Sequence, residues 1–123
     1  MSVLVHSLPG MERLSARLAA ALGVPMGTLV VHRFPDGECR VRIDQAVRDK
    51  VVVIVTRLDR PDDKLLPVVF GAATARDLGA DSVGLVAPYL AYMRQDRRFH
   101  AGTNVALLGA ARYALYEAAE VAR

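Results

Sequence analysis

Val51 to Val55 is apolar at every position, and no other stretch of the chain restricts its fold as much. Side chains alternate between the two faces of a strand, so a strand without a polar position has to be covered on both sides. Val3 to Val5 and Ser82 to Ala87 read as two further short strands. The segments between them have the period of helices. From Met11 onward, apolar residues recur at Leu14, Leu18, Ala21 and Leu22, and Gly23 and Pro25 then stop the helix. After Val55, a loop from Asp59 to Asp63 ends in helix-cap residues, and a helix follows to about Leu78 with Gly79 as its stop. Pro67 removes one early backbone hydrogen bond from that helix, so an irregular first turn is expected.

Thr28 to Phe34 is rich in β-branched residues and predicts a strand. Pro35-Asp36-Gly37 is a turn signal. Cys39, Val41 and Ile43 then alternate with Arg40, Arg42 and Asp44, giving one apolar and one polar face. The pair reads as an antiparallel hairpin at a sheet margin. Pro88 to Gly102 is polar, basic and without periodicity, and Thr103 or Asn104 can cap a last helix to about Val121. The order of elements predicts an α/β fold: a mainly parallel sheet, helices on both faces and an antiparallel edge hairpin. In such sheets ligands gather beyond the carboxyl ends of the strands. Thr56 to Asp63 and Pro88 to Gly102 both follow strand ends; the hairpin tip, Phe34 to Glu38, is a third polar place.

Composition removes several classes of function. At 123 residues the chain fits one domain. No apolar run approaches the roughly 20 residues that a membrane helix needs. The N-terminus has no basic region before its apolar residues, so no secretory signal is read there and a cytoplasmic protein is expected. Cys39 is the one cysteine, which leaves no internal disulfide and no cysteine metal cluster. His6, His32 and His100 are too scattered for a metal cluster at local spacing, and His6 and His32 read as plain sheet residues. The net charge of +3 is too weak to argue for nucleic acid. Of the 16 basic residues, only Lys50 and Lys64 are lysine. Arginine's planar fork suits phosphate, although a codon bias toward Arg and Ala would leave the same composition.

Two segments carry chemistry. Phe34-Pro35-Asp36-Gly37-Glu38 joins an aromatic ring to two carboxylates, which could stack a flat ring and accept hydrogen bonds from an exocyclic amine. The same residues could simply satisfy a turn. Tyr89 to His100 places Arg94, Arg97 and Arg98 within five residues after a buried strand. Such a loop can close on a polyphosphate and neutralise charge that develops in phosphoryl transfer. Asp96 could orient a guanidinium or meet a phosphate-bound Mg²⁺. A solvated basic loop would look alike. G-x-x-x-x-G-K-[ST], G-x-G-x-x-G and G-x-S-x-G motifs do not occur.

Taken together, Phe-Pro-Asp-Gly-Glu followed by Pro-Tyr-Leu-Ala-Tyr-Met-Arg-Gln-Asp-Arg-Arg closely resembles ribose-phosphate pyrophosphokinase (phosphoribosyl diphosphate synthetase). Val47-Arg48 and Asp62-Asp63-Lys64-Leu65-Leu66 join the resemblance, which covers about residues 1 to 104. It implies a phosphoribosyltransferase-type domain. It implies transfer of the β,γ-diphosphoryl group of ATP to the 1-hydroxyl of ribose 5-phosphate, with Mg²⁺ and release of AMP. By position, Phe34 would stack on adenine while Asp36 and Glu38 contact the base, all three coming from a neighbouring subunit. Arg94, Gln95 and Asp96 would hold ATP, and Arg97 and Arg98 would begin the family's mobile catalytic loop. His100 would lie on that loop with its role open.

The family's metal-binding His and its Thr-Gly-Gly-Thr loop for the ribose 5-phosphate moiety have no counterpart in these 123 residues. The chain is therefore expected to be a single N-terminal-type domain over residues 1–123, with the C-terminal domain absent and no metal ligand of its own. Its expected partners are ATP and further copies of itself, with ribose 5-phosphate bound only alongside the missing half. Membrane and nucleic acid are not expected partners. The expected function is the ATP-binding half of a ribose-phosphate diphosphokinase, inactive as an isolated chain. The alternative is a non-catalytic regulatory or assembly subunit of the same family.

Overall fold

The computed structural model describes residues 2–89 and 100–102. Its elements run β1 (Val3–Ser7), α1 (Glu12–Leu22), β2 (Met26–Arg33), β3 (Cys39–Ile43), β4 (Val51–Val55), α2 (Asp62–Asp77) and β5 (Ser82–Val86). They form one five-stranded sheet in the order β3-β2-β1-β4-β5. The pairs β1–β2, β1–β4 and β4–β5 are parallel, and β2–β3 is antiparallel. This is the expected mainly parallel sheet with a hairpin at its margin. The expected helix from residue 103 to about 121 lies outside the described residues.

α1 and α2 cover opposite faces of the sheet. Val52 and Ile54 of β4 join Leu4, Leu29, Val68, Ala72 and Ala75 in a core beneath α2. Their neighbours in the strand, Val53 and Val55, join Val5 and Ala19 in a smaller core beneath α1. The unbroken apolar run of β4 is thus accounted for, since every position meets a helix-covered face.

The buried stripe of α1 differs from the one that the leucine spacing suggests. Ser15 and Ala19 are buried and Leu18 is partly buried, while Leu14 and Leu22 are exposed. Small residues one turn apart let the helix sit close to the sheet, and the larger leucines are left at its flanks. No side-chain hydrogen bond caps α2; Pro61 occupies the cap position and Asp62 and Asp63 stand in the first turn. The expected side-chain cap is therefore replaced by two carboxylates placed favourably against the helix dipole. Among the described residues no helix is long and apolar enough to cross a membrane.

The strand register fixes where ligands can approach. Ser7 of β1 is level with Thr28 of β2 and Val55 of β4, and Val55 is level with Val86 of β5. β1, β4 and β5 all end at that line. β2 continues through Leu29 to Arg33 with, among the described residues, only β3 beside it. At about 3.3 Å per residue, the hairpin projects some 17 Å beyond the carboxyl edge of the sheet. Between β1 and β4, where the chain's winding reverses, Leu8 and Leu58 are buried just past the strand ends, and Leu8 N–H donates to Val55 O at 3.2 Å.

Candidate functional site

The hairpin tip is a closed five-residue turn. Phe34 N–H donates to Glu38 O at 2.8 Å, and Gly37 N–H donates to Phe34 O at 2.9 Å. Asp36 Oδ1 accepts from Glu38 N–H at 3.0 Å. Gly37 has φ +94°, a conformation that side chains seldom adopt. Part of what the turn reading proposed is therefore visible: one Asp36 oxygen and Gly37 do serve turn geometry. Phe34 is held at the base of the turn and remains 38% exposed, and Asp36 and Glu38 are also exposed.

Strand alternation gives this hairpin two unlike faces. Leu29, Val31 and Arg33 share one face with Cys39, Val41 and Ile43, their register partners. That face turns to α2: Leu29, Val41 and Ile43 belong to its core, and Val31 and Arg33 line a cleft with Pro67. His32 and Arg40, paired in register, point the other way and flank Phe34. The His32 ring meets the Phe34 ring edge-on, with centroids 4.7 Å apart and planes at 79°. The Arg40 guanidinium stands 5.8 Å from the Phe34 ring centroid. The ring is thus gripped from its own hairpin and displayed to solvent. The sequence reads His32 as a plain sheet residue and Arg40 as part of a polar strand face; the two-residue alternation that joins both to Phe34 was readable there.

A second cluster lies at the carboxyl ends of β4 and β5. Thr56 N–H donates to Val86 O at 3.1 Å, and Leu58 N–H donates to Tyr89 O at 3.0 Å. Arg57 stands over the Tyr89 ring, 5.7 Å from its centroid. Asp59 accepts from Lys64 Nζ at 2.7 Å and lies 3.6 Å from Arg57 Nε. The Lys64 hydrogen bond holds the Asp59 carboxyl below its usual range. These contacts anchor Tyr89, the residue from which the arginine-rich segment departs. Arg94, Gln95, Asp96, Arg97 and Arg98 lie outside the described residues. His100 is described and exposed. Among the described residues no group of three or more His, Cys, Asp or Glu could hold a metal ion.

The place of the hairpin tip relative to β5 is set by the strand order. Three inter-strand steps, about 14 Å, separate β2 from β5. The tip also stands about 20 Å beyond the line where β5 ends. Phe34 and the root of the arginine-rich segment are thus at opposite margins of the sheet.

Comparison with known proteins agrees with this architecture. The N-terminal domain of ribose phosphate pyrophosphokinase matches as a family over residues 3–112. A ribose-phosphate pyrophosphokinase of Saccharolobus solfataricus is 41% identical over 91 residues, 73% of this chain and 31% of the relative. One from Methanobrevibacter smithii is 37% identical over 94 residues, 76% of this chain and 32% of the relative. The chain therefore spans about a third of the length of these relatives. Among solved structures, phosphoribosylpyrophosphate synthetase from Mycobacterium smegmatis superposes with a TM-score of 0.81 at 19% identity, over 96% of this chain and 40% of that one. A purine phosphoribosyltransferase from Pyrococcus horikoshii reaches 0.52 at 24% identity, over 70% and 58%. These two likenesses speak for the fold, and the sequence matches speak for descent: the chain belongs to the ribose-phosphate pyrophosphokinase family and corresponds to its N-terminal domain.

Proposed function

We propose that residues 1–123 are the ATP-binding half of a ribose-phosphate diphosphokinase, and that the nucleotide is held where two copies of the chain meet. The observation that carries this reading is the displayed ring of Phe34. It stands with Asp36 and Glu38 beyond the carboxyl edge, at the margin opposite β5. A tip that projects away from its own sheet is placed to reach a neighbour. In this reading Phe34 stacks on the adenine of ATP, and Asp36 and Glu38 accept hydrogen bonds from the base. Arg94, Gln95 and Asp96 of the neighbouring copy hold ATP, the Arg94 guanidinium on its phosphates, and Arg97 and Arg98 meet the charge that develops on them. Mg²⁺ would accompany ATP as part of the substrate and offset the charge of its phosphates; among the described residues no group of three or more His, Cys, Asp or Glu could hold it. Ribose 5-phosphate is bound only with residues of the family that have no counterpart here, so the isolated chain forms no phosphoribosyl diphosphate.

Calorimetry with ATP and adenosine, beside a coupled assay for AMP release with ribose 5-phosphate and Mg²⁺, tests both parts. Phe34→Ala is expected to weaken ATP and adenosine alike, by roughly tenfold for a lost stacking face. Arg94→Ala is expected to weaken ATP much more than adenosine, and raised salt should do the same. Equal ATP affinity in wild type and Arg94→Ala would remove the arginine-rich segment from its phosphate role. Turnover by the 123-residue chain would overthrow the half-site reading. Absence of any nucleotide binding would favour an assembly subunit.

A further inference from the structure

Pro67 lies in the second turn of α2, where its missing N–H leaves the carbonyl of Asp63 without its helical donor. The structure supplies that donor from another element: Arg33 Nη2 donates to Asp63 O. Arg33 is the last residue of β2, next to Phe34, and its side chain lies on the face turned to α2. A cleft of about 280 Å³ runs along this contact, lined by Leu8, Pro9, Val31, Arg33, Lys64 and Pro67, with Asp63 at the hydrogen bond. Among the described residues, the cleft parts Val31 and Arg33 of the hairpin from Lys64 and Pro67 of α2. Among the described residues, β2 has no sheet partner beyond Thr28 except β3, and a two-stranded ribbon is marginal by itself. Leu29, Val41 and Ile43 root the ribbon in the core, whereas Arg33 ties its far end to the helix.

We propose that Arg33 is a positioning residue: by taking the carbonyl that Pro67 vacates, it tethers the hairpin to α2 and sets where Phe34, Asp36 and Glu38 stand. Pro67 and Arg33 then form one device. The proline opens an acceptor, and the arginine uses it to lock a strand end that, among the described residues, β3 holds on one side. The proposal deepens the nucleotide-binding reading of the tip and rests on it, but the tether itself can be read without nucleotide.

The test uses the full 123-residue chain as wild type, Arg33→Ala, Arg33→Lys, Pro67→Ala and the double variant Arg33→Ala/Pro67→Ala. Amide hydrogen exchange is followed at Phe34, Gly37 and Glu38, the three N–H groups that the tip's own hydrogen bonds protect. Thermal midpoint and ATP affinity are measured in parallel. Arg33→Ala is expected to lower the midpoint and speed tip exchange by about fivefold, the change carried by one ordinary hydrogen bond. In the double variant, the backbone N–H regained at position 67 can donate to Asp63 O again. The midpoint should return, while tip exchange stays fast and ATP affinity stays down by a similar factor. Arg33→Lys retains a donor and should restore part of both. Tip exchange unchanged in Arg33→Ala, or returning together with the midpoint in the double variant, would reduce Arg33 to a helix cap and overturn the proposal. A wild type that binds no ATP would defeat the nucleotide reading, and tip exchange would still decide for or against the tether.

Discussion

His6, the next-to-last residue of β1, has no exposed surface, and its surroundings explain how a polar ring is kept there. Nε2–H donates to Gln45 Oε1 at 3.0 Å, across Gly27, which is level with His6 in β2. A Cβ at position 27 would stand 2.6 Å from Gln45 Oε1 and 2.8 Å from His6 Nε2, so the bond exists because that position is glycine. Burial lowers the His6 pKa from its ordinary 6.5, and the Gln45 bond only partly opposes this. The unfolded chain therefore takes up a proton at a higher pH than the folded chain does. Stability from the neutral ring is full above about pH 6.5 and falls away as the pH drops from there through the lowered folded value. Melting the protein at about pH 7.5 and 5.5 should show a loss at the lower pH, and a smaller one in His6→Gln, which keeps a donor but not the titration. Equal losses would place the acid sensitivity elsewhere. Reading His6 as a plain sheet residue from the sequence agrees with its place in β1; Gln45, 39 positions away, could not be named as its partner. Distance in sequence likewise hides Arg33 from Pro67. Proline announces a missing hydrogen bond, but only the fold shows which side chain replaces it.

Elements were legible to the extent that their burial is one-sided or complete. β4 and β3 stand where continuous and alternating hydrophobicity put them. β2 begins two residues before Thr28, at Met26, because its first half pairs with β1, a contact that Gly27 gives no local reason to expect. α2 is the harder case, since apolar residues ring it: Val68, Ala72 and Ala75 are buried, while Leu66 is 55% exposed and Phe70 41%. No periodic stripe told the core face from the outer one. Side-chain truncation separates them. Ile54→Ala, in the centre of the sheet, should cost about 3 kcal/mol, the usual range for emptying a closed apolar site. Leu66→Ala should change stability by less than about 0.5 kcal/mol, as exposed positions do. Urea denaturation of both variants measures the contrast. A large cost at Leu66 would mean that this outer face is covered in solution, which would itself be evidence for association.

At the scale of the whole molecule, the resemblance read from Phe34 to Glu38 and Arg94 to Arg98 led to the right family, because those motifs are short and specific. How the two segments meet was not legible, since no local pattern encodes the distance between opposite margins of a sheet. The strand order now separates Phe34 from the root of the arginine-rich segment, and this gives the shared-site reading a test that does not depend on knowing the interface. Phe34→Ala and Arg94→Ala chains, each weak in ATP binding alone, are purified, mixed in equal amounts under conditions that allow subunit exchange, and titrated with ATP. If each site takes Phe34 from one copy and Arg94 from the other, a mixed dimer holds one site with both residues intact and one with neither. Random exchange makes half the dimers mixed, so about a quarter of all sites should regain wild-type affinity. If both residues served the same chain's site, no mixture could restore any. Recovery near a quarter, set beside a mixture kept from exchanging, would place the nucleotide between copies; no recovery after proven exchange would return it to a single chain.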